Sequence, residues 1–359
     1  MINVTQTFLP GLDEYMVILK RAWDKKWITN NGELLQELEE KLKQFHQLDH
    51  LMYCTNGTIV LQMALKALGR KGDIITTPFS YVATTNTILW EGFRPVYVDI
   101  NATDFNMDAG NIESKITPDT VAILATHVYG NPCDVLQMES IARKHNLKVI
   151  YDGAHAFGVK YKERSLLSYG DISTCSFHAT KLFHTVEGGS ISVHDESLRR
   201  QIYLYRQFGH VYDDYFSEGI NGKNSEFHAA MGLAVFPYLE KIIEDRKRVA
   251  RRYDDGLNGA GISKPAPLEG TVPNFGYYPV LFQSESDLTR TIEALKSVDI
   301  AGRRYFYPSL NELPFLKEKQ NCPVSEDISR RVYCLPMYPG LEDHAIDTIC
   351  SIIQETVKP

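Results

Sequence analysis

Between residues 50 and 195, short apolar runs rich in β-branched residues alternate with longer stretches of helical period. The runs at 51–55, 73–77, 95–100, 121–127, 148–152, 173–177 and 190–193 predict strands, and the stretches at 58–68, 82–90, 109–115 and 135–145 predict helices. Such alternation predicts an α/β fold: a mainly parallel sheet with helices on both faces. From 152 to 181 the rhythm breaks without a long helix, so the later strands are free to pair differently. Next, 225–256 carries a long helical pattern that Pro237 should kink or divide, since proline has no N–H to donate and crowds the preceding turn. A Pro- and Gly-containing stretch at 259–273, a strand-like run at 277–282 and helical patterns at 285–297 and 343–357 predict a smaller C-terminal α/β unit.

A chain of 359 residues with 43% hydrophobic and 23% charged residues has the makings of a globular protein with a sizeable core. The formal net charge of −7 gives a nucleic-acid partner no electrostatic support. The one basic cluster, Arg246, Lys247, Arg248, Arg251 and Arg252, shares its helix with Glu240, Glu244, Asp245 and Asp254 and reads as a solvated face. Six cysteines without a CxxC pair read as free thiols in a reducing compartment. No basic segment followed by an apolar run marks a signal peptide, and no apolar stretch approaches membrane-spanning length, so the expected location is the cytoplasm.

Ligands of open α/β sheets bind at the carboxyl ends of strands. Several chemically able groups fall there. Asn56-Gly57-Thr58 ends a strand and opens a helix, which points free N–H groups and the positive end of the helix dipole at one spot; this suits a phosphate, or is a plain N-cap. Asp152 closes the run 148–152, where a carboxylate either keeps a ring nitrogen protonated or caps the Gly153-Ala154 turn. Lys181 follows Ser176-Phe177-His178-Ala179-Thr180 and precedes Glu187-Gly188-Gly189; partial burial there would depress its pKa and make it a nucleophile, whereas a surface lysine keeps its ammonium in water. No GxGxxG or GxxxxGK[ST] is present, so dinucleotide and Walker-type sites are not indicated. His178, His184 and His194 match no usual ligand spacing, and no metal is expected.

Asn56-Gly57-Thr58, Asp152-Gly153-Ala154-His155-Ala156, Ser176–Lys181 with Glu187-Gly188-Gly189, and Asn221-Gly222-Lys223-Asn224-Ser225-Glu226 occur in this order. Together they resemble the sugar aminotransferases of the DegT/DnrJ/EryC1/StrS family. The resemblance implies the pyridoxal-phosphate-dependent fold type I, aspartate aminotransferase-like, with a large unit at 12–236 and a small one at 237–359 joined by 1–11. It further implies pyridoxal 5′-phosphate as cofactor, with pyridoxamine phosphate as its second form. Lys181 matches the lysine that links to the cofactor and shuttles the Cα proton, and Asp152 the partner of the pyridine nitrogen. Tyr81 matches the residue stacked on the ring, His155 lies near the 3-hydroxyl, and Gly57, Thr58 and Ser176 match phosphate contacts. Asn221 and Lys223 match a segment reaching the phosphate of a neighbouring subunit, which implies a homodimer with shared active sites. The family usually has Arg at the position of Lys223 and Met at that of Asn224.

The string Phe177-His178-Ala179-Thr180-Lys181 with Phe183 resembles the subgroup that aminates C4 of nucleotide-linked, chiefly dTDP-linked, 4-keto-6-deoxyhexoses with L-glutamate, which leaves as 2-oxoglutarate. Such products serve O-antigen, other polysaccharide or glycoside synthesis. Aminotransfer to a 3-keto sugar nucleotide is the alternative within the family. The run 302–308 resembles the loop lining the sugar-nucleotide side, where Arg303, Arg304 and Tyr305 would meet substrate and either arginine could hold a diphosphate; an ordinary solvated loop is the other reading. Related sugar dehydratases carry histidine at the position of Lys181, and a non-catalytic sugar-nucleotide-binding protein needs neither Lys181 nor Asp152.

Overall fold

The structure, a computed structural model, describes residues 1–357. Seven strands form the central sheet: β1 (His50–Cys54), β2 (Asp73–Thr76), β3 (Arg94–Tyr97), β4 (Thr120–Thr126), β5 (Lys148–Asp152), β6 (Ile172–Ser176) and β7 (Gly189–Val193). Their order across the sheet is β1-β7-β6-β5-β4-β2-β3. The run from β3 to β6 is parallel throughout, and β7 lies antiparallel between β1 and β6. The broken rhythm after residue 152 therefore marks a real change of direction: with no helix long enough to cross over, the chain turns back and β7 pairs antiparallel.

Helices α1 (Leu12–Lys25), α2 (Glu33–His46), α3 (Gly57–Lys66), α4 (Val82–Trp90), α5 (Val135–His145) and α6 (Glu196–Arg206) precede or follow these strands. The expected helix at 109–115 is two 3₁₀ turns instead, Ala109–Asn111 and Glu113–Lys115. The Asp108 side chain accepts from the Gly110 N–H and the Asn111 amide, holding a turn where a helix would have begun. The long pattern at 225–256 divides as its proline requires, into α7 (Glu226–Val235), a 3₁₀ turn over Phe236–Tyr238, and α8 (Leu239–Gly256).

One core packs α1, α2, α5 and α7 against one face of the sheet; a second packs α3 and α6 against the other. A third cluster gathers the end of α8, strand β8 (Pro279–Leu281), α9 (Glu285–Ser297) and α10 (Asp343–Thr356). Helix α8 contributes Leu239 and Ile242 to the first cluster and Val249, Ala250 and Tyr253 to the third. Its basic face is only partly solvated. Arg248 and Arg252 pair with Asp343 and Asp347 of α10, whereas Arg246 is buried and donates to the carbonyls of Gly276 and Met337 at 3.1 and 3.0 Å. All six cysteines are buried and unpaired, and burial pushes their thiol pKa values upward. No helix among the described residues is long and apolar enough to cross a membrane.

Candidate active site

A cavity of about 330 Å³ opens at the carboxyl ends of β1, β2, β5 and β6, a size in the range of small-ligand sites. It is lined by Gly57, Thr58, Tyr81, Asp152, His155, Ser176, Lys181, Arg303 and Tyr305, and also by Glu187 and Tyr277. Four of the six segments meet here because the strands of the central sheet deliver their trailing loops to one edge, and the C-terminal part of the chain adds Tyr277, Arg303 and Tyr305.

Asp152, the last residue of β5, is 5% exposed. Thr84 Oγ1 donates to its Oδ2 at 2.8 Å, and the Ala154 N–H donates to Oδ1 at 3.1 Å. Ser80 Oγ lies 2.8 Å from Thr84 Oγ1 and 2.9 Å from Thr126 Oγ1, so a hydroxyl chain holds the carboxylate from behind. Burial raises the Asp152 pKa, opposed by these hydrogen bonds and by the charge of Lys181. A desolvated carboxylate of this kind gains most by facing a cation.

Lys181 is half-buried, and its Nζ donates to the Tyr277 hydroxyl at 3.1 Å. Burial lowers its pKa, while Tyr305, Asp152, Cys175 and Tyr81 act in the opposite sense. The amine is thereby brought nearer to the neutral, nucleophilic form. His155 is also buried, and its Nδ1 accepts the Tyr129 N–H at 3.1 Å. Because burial drives its pKa well down, the ring is neutral with its proton on Nε2.

The Asn56 Oδ1 caps α3 by accepting from the Thr58 and Ile59 N–H groups at 3.0 and 2.9 Å. Capping does not exhaust the helix end. Among the described residues the Gly57 N–H has no acceptor, and Thr58 and Ser176 line the cavity beside it. A Cβ on Gly57 would stand 2.9 Å from the Ser176 Cβ, so only glycine lets the helix start approach the end of β6. A Cβ on Gly189 would meet the Asn56 backbone at 2.6 Å, which explains the second glycine of the pair before β7. Tyr81, preceding α4, is 54% exposed at the cavity rim.

The remaining candidates are placed differently. Arg303 lines the cavity with its guanidinium over the Tyr305 ring at 4.7 Å. Arg304 does not: it stacks on Tyr307 and donates to Glu285 and to the Arg330 carbonyl. Within one chain Asn221 and Lys223 lie outside the cavity; Lys223 Nζ sits 4.8 Å above the Phe208 ring. His184 and His194 are engaged separately, with the carbonyls of Phe8 and Ser168. Thr84 and Tyr277 escaped the sequence reading, the first because it sits in a helix of mixed apolar and threonine residues, the second because it reads as a strand position.

These residues fit pyridoxal phosphate: a half-buried amine, a buried carboxylate in want of a cation, and free donors at a helix N-terminus for an anion. Fold and site together define a pyridoxal-phosphate enzyme of the aminotransferase kind. Residues 13–354 match the DegT/DnrJ/EryC1/StrS aminotransferase family, and the chain belongs to it. It is 41% identical over 361 residues to the dTDP-4-amino-4,6-dideoxy-D-glucose transaminase of Shigella dysenteriae, covering 99% of this chain and 98% of that protein. Identity to the Escherichia coli transaminase of the same name is 38% over 365 residues, covering 98% of each. The crystal structure of DesI with its TDP-sugar product superposes with a TM-score of 0.93 at 28% identity, covering 99% of this chain and 92% of that one.

Proposed function

We propose that the enzyme transfers the amino group of L-glutamate to the C4 ketone of a nucleotide-linked 4-keto-6-deoxyhexose, with dTDP-4-keto-6-deoxyglucose as the foremost substrate. The products are 2-oxoglutarate and a 4-amino-4,6-dideoxy sugar nucleotide. One observation carries the reading: the 41% identity, across 99% of the chain, to a relative named for transamination of that amino sugar. When bound, pyridoxal phosphate supplies a carbonyl that accepts the amine and, with its ring nitrogen protonated, a sink for the electron pair left at Cα. In this reading Asp152, braced by Thr84 and Ala154, keeps a proton on that nitrogen. Lys181 would hold the cofactor through Nζ; released as an amine, it would take the Cα proton of glutamate on Nζ and deliver it to the former carbonyl carbon, two bonds away across the nitrogen. The second half runs the same proton movement in reverse on the sugar carbon.

His155 offers Nε2–H to the cofactor's 3-oxygen, Tyr81 covers the ring face, and Gly57, Thr58 and Ser176 receive the phosphate. Arg303, rather than Arg304, then meets the sugar nucleotide with Tyr305. Asn221 and Lys223 serve the site of a second copy in a homodimer; the exposed aromatic residues Phe208, Tyr212 and Tyr215 on the same segment support that assignment. We place the larger unit at 12–236 and the smaller at 237–359 with 1–11, since Ile2–Asn3 pairs with Ile300–Ala301.

The test is a panel of 3-keto and 4-keto nucleotide sugars incubated with glutamate, with products identified by NMR. Turnover of the 4-keto-6-deoxy substrates is expected; amination of 3-keto sugars alone would replace the reading with its C3 counterpart.

A further inference from the structure

Tyr277 is the only side chain hydrogen-bonded to Lys181 Nζ among the described residues, and nothing in its sequence setting marks it as functional. It stands on a short loop that is fastened from two sides. Asn274 Nδ2 donates to the carbonyls of His155 and Phe157 at 2.9 and 2.8 Å, tying the loop to the chain that follows β5. The Gly276 N–H donates to Asn274 Oδ1 at 2.8 Å, and the Gly276 carbonyl accepts from buried Arg246. The Tyr277 ring then packs against His155 at 4.3 Å. A flexible lysine is thus met by a hydroxyl whose position is set by the loop and not by the lysine.

We infer that Tyr277 is a positioning residue for Lys181: its hydroxyl oxygen accepts an Nζ–H and holds the protonated amine between the removal of a proton from one carbon and its delivery to another. The inference rests on Lys181 being the cofactor lysine. Its physical basis is an imbalance. A hydrogen bond from a charged ammonium is worth more than one involving a neutral amine, so the contact favours the protonated form. It therefore opposes the burial that pulls the lysine toward neutrality. The other groups facing Nζ are Asp152 at the end of β5, His155 from the loop that follows, Cys175 on β6, Tyr81 before α4, and Tyr305. Asp152 is turned to the ring nitrogen in the proposed function, His155 is neutral, and burial holds Cys175 and Tyr305 un-ionised. Tyr277 stays a phenol too, as burial raises its pKa. It is the contact left to steady the charged amine.

Tyr277→Phe keeps the ring and removes the oxygen. In the cofactor-free full-length chain, acetylation of Lys181 followed by mass spectrometry across a pH series reads its proton affinity without turnover. The midpoint is expected to fall by about one pH unit in the variant. In the loaded enzyme, kcat with glutamate is expected to fall about tenfold, with a larger isotope effect from glutamate deuterated at Cα and little change in KM. Thermal unfolding checks that the variant is folded, and Tyr277→Gln, which returns an oxygen acceptor, should recover part of the midpoint. An unchanged midpoint, or an effect confined to KM, would overturn the inference. Failure of the proposed Lys181 role is a separate result: wild-type Lys181 would then acetylate at the same rate with and without pyridoxal phosphate.

Discussion

Thr84 and Asp152 are joined by a 2.8 Å hydrogen bond from hydroxyl to carboxylate, across 68 residues of sequence. The bond ties the helix after β2 to the end of β5, and it lowers the proton affinity of a carboxyl group that burial raises. Thr84→Val keeps the shape and removes the donor. Cofactor affinity is expected to drop about tenfold, as for loss of a hydrogen bond to a charged group, with little change in thermal stability of the cofactor-free protein. Titration of that protein with pyridoxal phosphate, followed by absorbance, measures it; equal affinities would leave the hydroxyl without a role.

Asp152→Asn should separate stability from chemistry. The folded-state pKa of Asp152 lies above its ordinary value, so ionisation opposes folding: the carboxyl contributes least once the pH has risen past the folded value. An amide keeps an acceptor for Ala154 and can donate to Thr84. Near neutral pH the cofactor-free variant is therefore expected to melt at or above the wild-type temperature, while turnover falls by at least about a hundredfold. A variant that melts lower yet turns over normally would refute both halves.

Lys181→Ala should leave the fold intact and abolish conversion of the bound cofactor by glutamate. Removing a half-buried amine of lowered pKa costs the folded state little. Absorbance during a single addition of glutamate is the measurement; conversion at the wild-type rate would end the assignment of this lysine.

Acid should destabilise the protein below about pH 6.5, although Asp104, whose carboxyl pKa burial raises to about 6, takes up a proton in the same range and offsets part of the loss. His46, His127 and His155 are buried, and burial lowers the first two from 6.5 to about 3 and the third well below 6.5. A lowered imidazole pKa means the unfolded chain binds the extra proton, so stability is complete above about 6.5 and is lost as the pH falls toward the folded values. Three such groups give a slope of about 2 kcal/mol per pH unit near pH 6.5, which steepens toward about 4 below about pH 5.5. Urea unfolding between about pH 6 and pH 5 tests this, and a flat profile would contradict it.

Gly57→Ala brings a methyl group within 2.9 Å of the Ser176 Cβ, where strand and helix backbones leave little room to retreat. A loss of about 1–3 kcal/mol in stability is expected, together with weaker cofactor binding. Chemical denaturation and cofactor titration read the two effects; a fully neutral substitution would mean the helix start is free to move.

The sheet was legible because its strands are short apolar runs set apart by turn residues. Every strand expected between 50 and 195 is present within a few residues of its predicted limits. Helices α1, α2 and α6 were not assigned, since the alternation sought between strands does not extend over 1–50 or past 195. Gly57, Asp152, Ser176 and Lys181 could be read as lining one site because each lies at, or within five residues of, the carboxyl end of a strand. Thr84 and Tyr277 were not, since their value comes from partners 68 and 96 positions away. Arg246 was misread for a similar reason. Charge pattern alone makes it one more exposed arginine, and only the carbonyls of two remote loops account for its burial.

The inaccessible sulfurs have a practical use. With all six native thiols buried and held in the unreactive form, a single cysteine introduced on the surface would be the one site open to alkylating dyes. Placed at Tyr307, on the outer side of the loop that carries Arg303, it would let fluorescence follow sugar-nucleotide arrival without removing any native residue from the core.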